Sequence, residues 1–260
     1  MKYGFIGAGN ISSAVIMGAV KGCIACDDIK VYDIDKAKAE RLALETGVGS
    51  CSGEEILTGA RIIFFCIKPN VLPDVLRKCA PSVMQRQDSP VIVSFAAGVR
   101  LETLDSLLPE TRIIRVMPNL NSAIGEGMSA ICANKYCDLK NISDVTEFMS
   151  ACGKTTETDE RYFDIFSALA GSSPAFTYIF IDSLARAALA LGMPKDQALK
   201  IASQSVFGSA KMLLESDEHP WTLADRVCSP GGITIEGIRA LQEGAFEHTV
   251  MQAVIRAVKK

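Results

Sequence analysis

A short apolar strand that runs directly into a glycine loop constrains the fold of this chain more than any other sequence feature. Lys2–Ile6 is predicted to be a strand, Gly7–Asn10 a tight loop and Ile11–Lys21 a helix. In such a loop Gly7 permits the turn and Gly9 lets the backbone approach a pyrophosphate, while the helix N-terminus offers N–H groups to that anion. A glycine-rich turn without a ligand is the alternative. The residues predicted to contact a dinucleotide here are Gly7, Ala8, Gly9, Asn10 and Ile11.

Short β-branched runs alternate with helical patterns through the first half of the chain. Further strands are predicted at Ile29–Asp33, Arg61–Ile67, Pro90–Ser94 and Arg112–Met117, with a helix at Lys36–Thr46. Ser52 and Glu55 form a capping-box pattern for another short helix. Continuous apolar strands are typical of parallel sheets covered by helices on both faces. The pattern therefore predicts an α/β Rossmann domain with a doubly wound parallel sheet.

The second half lacks strand patterns and is predicted to be all helical. The expected helices are Ala175–Leu191, Lys195–Glu215, Ile233–Gln242 and Ala245–Lys259, with a break at His219–Pro220. We place the domain boundary at about residue 158, giving domains 1–158 and 159–260. Several of these helices carry little charge, so part of their apolar surface is expected to meet a partner, with a two-fold homodimer as the simplest arrangement.

Composition narrows the class of protein. With 27 Lys and Arg against 30 Asp and Glu, the formal net charge is −3 and no basic patch stands out, which argues against nucleic-acid binding. No apolar run is long enough for a membrane span, and the start of the chain does not resemble a signal peptide. The nine cysteines are expected to stay reduced in a cytoplasmic protein. Only two histidines are present, which excludes a His-rich zinc site, and no metal is expected.

Asp33 ends the second predicted strand. A carboxylate at this position accepts hydrogen bonds from the ribose hydroxyls of NAD and repels the 2′-phosphate of NADP, which favours NADH. Capping of the helix Lys36–Thr46 is the alternative, and the two roles are compatible.

Three further segments leave predicted strands at their carboxyl ends, where ligands of open α/β sheets bind. Cys66–Pro69 brings a lysine to that edge, and Ser94–Gly98 and Met117–Asn119 bring small or polar residues that leave room for a nicotinamide ring. Ordinary packed loops are the alternative for each. The cofactor-site residues predicted here are Ile67, Lys68, Pro69, Ala96, Ala97, Gly98 and Asn119.

Two segments of the second half interrupt its helices. Ser229–Thr234 places two glycines before a helix, which makes a small anion cradle of backbone N–H groups suited to a carboxylate. Gly171–Pro174 combines two hydroxyls with a proline. A helix–helix corner and a simple kink are the alternatives.

Taken together, these segments resemble the pyrroline-5-carboxylate reductases, over nearly the whole chain. The matching motifs are GAGN from Gly7, CIKP from Cys66, SFAAGV from Ser94, RVMPN from Arg115, ALAGSSPAF from Ala168 and CSPGGIT from Cys228. Each motif is weak by itself, but their order is highly specific. Asp33 departs from the residues common in NADP-preferring members, so the choice between NADPH and NADH stays open.

The resemblance implies reduction of 1-pyrroline-5-carboxylate to L-proline by hydride transfer from NADPH or NADH, the last step of proline biosynthesis. It implies a helical substrate-binding and dimerisation domain, with a homodimer that in some members assembles into a decamer. Thr234 matches the family hydroxyl near the ring nitrogen and is the predicted catalytic residue. The substrate-binding residues expected are Ser173, Ser229, Gly231, Gly232 and Thr234.

Two alternatives share this architecture. One is another NAD(P)-dependent imine or hydroxyacid dehydrogenase, for which Lys200 or Lys211 would supply the acid–base group. The other is a non-catalytic NAD(P)-binding regulator, since fold alone does not fix function.

Overall fold

An eight-stranded sheet forms the centre of the first of two compact units, Met1–Gly171, in a computed structural model that describes residues 1–258. Its strands are β1 (Tyr3–Ile6), β2 (Ile29–Tyr32), β3 (Gly49–Ser50), β4 (Ile62–Phe65), β5 (Val91–Ser94), β6 (Arg112–Met117), β7 (Gly127–Ala133) and β8 (Gly153–Glu157). The spatial order is β3-β2-β1-β4-β5-β6-β7-β8. The first six strands are parallel; five of them were predicted, and the two-residue β3 was not. β7 runs antiparallel to β6, and β8 runs parallel to β7. The chain reverses its winding direction beside β1, which is where such sheets bind ligands.

Helices cover both faces of this sheet. They are α1 (Asn10–Lys21), α2 (Lys36–Thr46), α3 (Gly53–Gly59), α4 (Leu72–Met84), α5 (Leu101–Leu107), α6 (Leu139–Ser150) and α7 (Phe163–Phe166). The predicted capping box of α3 is confirmed, because the Glu55 N–H donates to Ser52 Oγ at 3.2 Å and the Ser52 N–H to Glu55 Oε2 at 2.8 Å.

Consecutive strand residues pack into two separate cores, one on each face of the sheet. Phe5 and Phe64 belong to one core and stack with ring centroids 4.4 Å apart, with Phe148 of α6 against both. Ile6 and Phe65, the next residues along the two strands, belong to the other core. Because side chains alternate across a strand, both positions must be apolar when both faces are buried.

The segment after residue 158 packs against the sheet of the first unit. Arg115 of β6 is 3% exposed and forms an ion pair with Glu160 at 2.6 Å, and its guanidinium lies over the ring of the buried Phe163. These contacts place Glu160 and Phe163 in the first unit, which extends to Gly171. The functional domain boundary at residue 158 stays a prediction.

The second unit, Ser172–Lys260, consists in its described part of helices joined by short loops, with no strand, as predicted. Its helices are α8 (Ser173–Ala190), α9 (Lys195–Leu214), α10 (Pro220–Val227), α11 (Ile233–Glu243) and α12 (Phe246–Val258). The expected break at His219–Pro220 is the start of α10, where His219 Nδ1 accepts from the Trp221 N–H. Lys259, the predicted last helical residue, lies outside the described residues. Among the described helices, none combines the length and apolar character that a membrane crossing needs.

Candidate functional site

The loop between β1 and α1 has a geometry that only glycine supports at its first position. Gly7 has a φ of +111°, and its N–H donates to the Tyr32 carbonyl at 2.7 Å. A Cβ at this position would lie 2.5 Å from the backbone oxygen of Cys66. Both the positive φ and the close approach of the two chain segments therefore require Gly7.

Neither packing nor backbone angles within the protein require glycine at position 9. Its φ is −80°, which any residue adopts, and a Cβ built on it would meet no heavy atom within 4 Å. Gly9 is also the N-cap of α1, so the first N–H groups of this helix have neither intrahelical acceptors nor a side-chain cap. The bare backbone and the free donors fit the pyrophosphate of a dinucleotide.

Asp33 follows β2 and is bonded to the glycine loop. Its Oδ2 accepts from the Ala8 N–H at 2.7 Å, and its Oδ1 accepts from the Asp35 N–H at 2.9 Å. The N-cap of α2 is Asp35, so the alternative that Asp33 caps this helix is wrong. Because the Ala8 N–H already donates to Asp33, it is not available to a cofactor. Ala8 therefore serves to hold the loop in position.

A cleft of about 260 Å³ opens beside Asp33. Besides Asp33, its lining contains one positively charged residue, Lys36, and one negatively charged residue, Glu40. The lining residues are Tyr32, Asp33, Lys36, Ala39, Glu40, Ser50, Cys51 and Ser52. The position, after the carboxyl ends of β2 and β3, suits the adenosine half of a dinucleotide.

The loops after β4 and β5 lie at the same edge of the sheet, because β1, β4 and β5 are neighbouring parallel strands. Ile67 is half-buried, whereas Lys68 and Pro69 are exposed and the Lys68 carbonyl accepts the first N–H of α4 at 3.0 Å. After β5, Ala96 is buried, while Ala97 and Gly98 are exposed. Gly98 has a φ of +73° and open space at its Cβ position. The structure thus brings the predicted cofactor residues of these loops together with the glycine loop.

Asn119, the remaining predicted cofactor residue, turns its side chain into the protein. The residue is 6% exposed, its Nδ2 donates to the Ala170 carbonyl at 3.0 Å, and its Oδ1 accepts from the Met128 N–H at 3.2 Å. A contact between Asn119 and the cofactor stays a prediction.

Two residues beside the loop support it without being predicted cofactor contacts. Ser12 is fully buried and its hydroxyl donates to the Gly9 carbonyl at 2.9 Å, which fixes the peptide in front of α1. Ser12 occupies the third small position of the glycine motif, and its burial fits the close packing expected there. Cys66 packs against Gly7, and burial raises the pKa of its thiol well above the ordinary value, so Cys66 is a neutral packing residue.

In the second unit, Ser229–Gly232 forms a tight turn directly before α11. The Gly232 N–H donates to the Ser229 carbonyl at 2.9 Å, Pro230 occupies the second position and Gly231 has a φ of +67°. A Cβ on Gly232 would collide with the Ser229 side chain. The positive φ requires glycine at position 231, whereas a side chain at position 232 would displace the Ser229 hydroxyl. The turn leaves the first N–H groups of α11 without a side-chain cap, which suits a carboxylate.

Thr234 lies in the first turn of α11. Helical threonines such as Thr177 and Thr249 donate their hydroxyls to the carbonyl four residues earlier, at 3.0 Å in both cases. For Thr234 the residue four positions earlier is Pro230, in the turn before α11, and among residues 1–258 the Thr234 hydroxyl forms no hydrogen bond. This hydroxyl is therefore available to a ligand.

Ser173 is placed apart from this turn along the chain, as the first residue of α8. Its carbonyl accepts from the Thr177 hydroxyl. Within residues 1–258, no group of three or more His, Cys, Asp or Glu side chains is arranged as metal ligands.

Comparison with known proteins identifies relatives over the full chain. A family model described as pyrroline-5-carboxylate reductase dimerisation matches residues 160–260, and one described as NADP oxidoreductase, coenzyme F420-dependent, matches residues 2–98. Pyrroline-5-carboxylate reductase of Escherichia coli (strain K12) is 38% identical over 262 residues, covering 100% of this chain and 96% of that protein. The Pisum sativum enzyme of the same name is 33% identical, covering 99% and 93%. The crystal structure of Plasmodium falciparum pyrroline carboxylate reductase with NADP bound has a TM-score of 0.90 at 30% identity, covering 100% of this chain and 96% of that one.

Proposed function

The chain belongs to the pyrroline-5-carboxylate reductase family and reduces 1-pyrroline-5-carboxylate to L-proline with NAD(P)H, and from this premise we propose which of its residues carry the reaction. The main support for the proposal is the start of α11, which directly follows the Ser229–Gly232 turn and whose first N–H groups have no side-chain cap. No comparison supports the alternatives of a hydroxyacid dehydrogenase or a non-catalytic regulator.

We propose that the glycine loop holds the pyrophosphate of the cofactor. The support is Gly9, whose lack of a side chain is explained neither by its backbone angles nor by protein packing. The N–H groups of Asn10 and Ile11 and the α1 dipole would complete the anion site. Ile67–Pro69 and Ala96–Gly98 would border the rest of the cofactor at the same sheet edge.

When bound, NAD(P)H supplies the hydride for the imine carbon. Asp33 supports NADH over NADPH, because its carboxylate would face the 2′ position of the adenosine ribose. Lys36 lines the same cleft and offsets part of that negative charge. A spectrophotometric assay that compares oxidation of NADH and NADPH by 1-pyrroline-5-carboxylate measures the preference.

We propose that the substrate carboxylate binds the backbone N–H groups at the start of α11, with Ser229, Gly231 and Gly232 shaping the cradle. The Thr234 hydroxyl would then hold the ring nitrogen and its proton. A protonated imine is already electrophilic, so a single positioned donor suffices where other reductions need a strong acid. Ser173 is proposed as a further substrate contact.

The test of this assignment is Thr234→Ala, compared with Thr234→Ser. We expect Thr234→Ala to lower kcat about 10-fold or more, which corresponds to one positioned donor, while the Kd for NADH is unchanged. Thr234→Ser, which keeps the hydroxyl, should recover most of the activity. Thr249→Ala is the matched control, because the Thr249 hydroxyl already donates to the Ala245 carbonyl just before α12. An unchanged kcat in Thr234→Ala would remove Thr234 from the reaction.

The second half of the chain carries the family's dimerisation domain. Many large apolar side chains of its helices are exposed in the single chain, among them Tyr178, Ile179, Ile201, Phe207 and Met251. We propose a homodimer as the basic assembly, with a decamer of five such dimers as the larger one, and a cytoplasmic location that matches nine unpaired cysteines. Light scattering should give a mass of at least about twice 27.9 kDa. A mass equal to one chain would rule out the homodimer.

A further inference from the structure

Two sequence motifs far apart in the chain are joined by one buried side chain. Asn119 follows β6, and Ala170 lies in a π-helical turn, Ser167–Ser172, that leads along the chain to Ser173. Asn119 Nδ2 donates to the Ala170 carbonyl at 3.0 Å, and the other end of the same amide accepts from the Met128 N–H at 3.2 Å. With 6% exposure, the amide is held between these two backbone groups.

Pro174 explains why a π turn forms around Ala170. In an α-helix the Ala170 carbonyl would accept the N–H of Pro174, four positions later, and proline has no N–H. A proline ring also collides with the carbonyl four residues before it, and a wider π turn relieves this collision. In the π turn the helical donor to this carbonyl would be the N–H of Ala175, five positions later, and the amide of Asn119 adds a hydrogen bond from outside the helix where the α-helical bond from position 174 is missing.

We propose that Asn119 is a positioning residue for the reductase reaction: it anchors the π turn and thereby sets the backbone of Gly171–Ser173, where the substrate contact by Ser173 is expected. The inference rests on the proposed function in that it assigns this segment to substrate binding. Asn119 acts through the backbone and makes no contact with the reacting atoms. Its loss should affect recognition of 1-pyrroline-5-carboxylate and leave cofactor affinity unchanged.

The first experiment compares Asn119→Ala with Asn134→Ala in the intact chain. Asn134 is a matched control because it is also buried and its amide also bonds to backbone groups, at the other end of β6. Its Oδ1 accepts from the Ile113 N–H at 3.1 Å, and its Nδ2 donates to the Thr111 carbonyl at 2.9 Å. We expect Asn119→Ala to raise the KM for 1-pyrroline-5-carboxylate about tenfold, the effect of losing one hydrogen bond to the half-buried Ala170 carbonyl, with kcat reduced less and the Kd for NADH unchanged. Asn134→Ala should lower the urea midpoint without this change in KM.

A second variant covers the case in which Asn119→Ala does not fold. Asn119→Asp has the same shape and still accepts from the Met128 N–H, but it has no group that donates to Ala170. It should show the same rise in KM. A rise in the Kd for NADH in place of the KM for 1-pyrroline-5-carboxylate would make Asn119 a cofactor contact and overturn the positioning role.

The decisive experiment is rescue by Pro174→Ala, which restores an N–H four residues after Ala170. In this background the local chain can satisfy the carbonyl, so Asn119→Ala should raise the KM less than about twofold relative to Pro174→Ala alone. An equal rise in both backgrounds would contradict the inference.

The failure of this inference and that of the proposed function give different results. If Thr234→Ala keeps its full kcat, the catalytic assignment is wrong, whereas the coupling between positions 119 and 174 is still measurable by urea unfolding of the four variants of the cycle. If Thr234→Ala behaves as expected and the KM is insensitive to Asn119, only the positioning role is wrong.

Discussion

Substitution of Gly9 by alanine separates a requirement of the ligand from a requirement of the fold. The backbone angles of Gly9, a φ of −80° and a ψ of −178°, are accessible to alanine, and the added Cβ meets no protein atom within 4 Å. The free energy of unfolding should therefore change by less than about 1 kcal/mol, because the lower entropy of the unfolded chain offsets a slightly poorer N-cap.

Cofactor affinity should fall, because the methyl group would stand where the pyrophosphate approaches the backbone. An N–H bond to a charged group contributes about 1.5–3 kcal/mol, so the loss of one such bond, about 2 kcal/mol, raises the Kd for NADH about 30-fold. Gly9→Val adds two more carbon atoms at the same place and should abolish binding.

Gly7→Ala is the contrasting variant. Its Cβ would lie 2.5 Å from the Cys66 oxygen at a φ of +111°, so the free energy of unfolding should fall by about 3 kcal/mol. Fluorescence titration with NADH and urea unfolding measure both quantities for each variant. Wild-type affinity for NADH in Gly9→Ala would refute the assignment of the loop to the pyrophosphate.

Three further predictions follow from the charges and thiols of the first unit. Asp33→Ser should raise the ratio of kcat/KM for NADPH to that for NADH about tenfold, because the carboxylate no longer repels a 2′-phosphate; an unchanged ratio would exclude Asp33 from cofactor selection. Glu160→Ala should lower the free energy of unfolding by about 3 kcal/mol, since it leaves the buried Arg115 without its partner, and a urea midpoint equal to wild type would contradict this. Burial raises the pKa of Cys152 to about 12 and that of Cys137 to about 11. Because these thiols ionise at lower pH in the unfolded chain, the free energy of unfolding should fall as the pH rises above 9.0, and the fall should be smaller in Cys152→Ala.

The sequence predicts those parts of the fold that are determined by residues close to one another in the chain. The glycine loop, the parallel strands around it and the helical second half are examples, because apolar periodicity and glycine positions act over a few residues. β8 was not predicted, because it is a polar edge strand that forms only through pairing with β7. β7 was also missed, since its antiparallel pairing with β6 breaks the alternation of strand and helix that governs the rest of the sheet.

The site was predictable as a set of motifs and not as a set of contacts. The sequence indicates that Asp33 and Asn119 are polar groups at strand ends, but the partner of each lies elsewhere in the chain. Asp33 accepts from the Ala8 N–H and Asn119 donates to the Ala170 carbonyl, and no local pattern encodes either pairing. Such pairings depend on how the strands are ordered in the sheet.

The most direct test of the central claim, hydride transfer to a cyclic imine held at the start of α11, is an isotope experiment. The intact chain is supplied with NADH that carries deuterium at its transferable position, and with 1-pyrroline-5-carboxylate, and the product is examined by mass spectrometry and NMR. We expect L-proline with one deuterium on the ring carbon of the former C=N bond, formed about tenfold or more slowly by Thr234→Ala. Proline without deuterium, or no proline from the wild-type chain, would contradict the account.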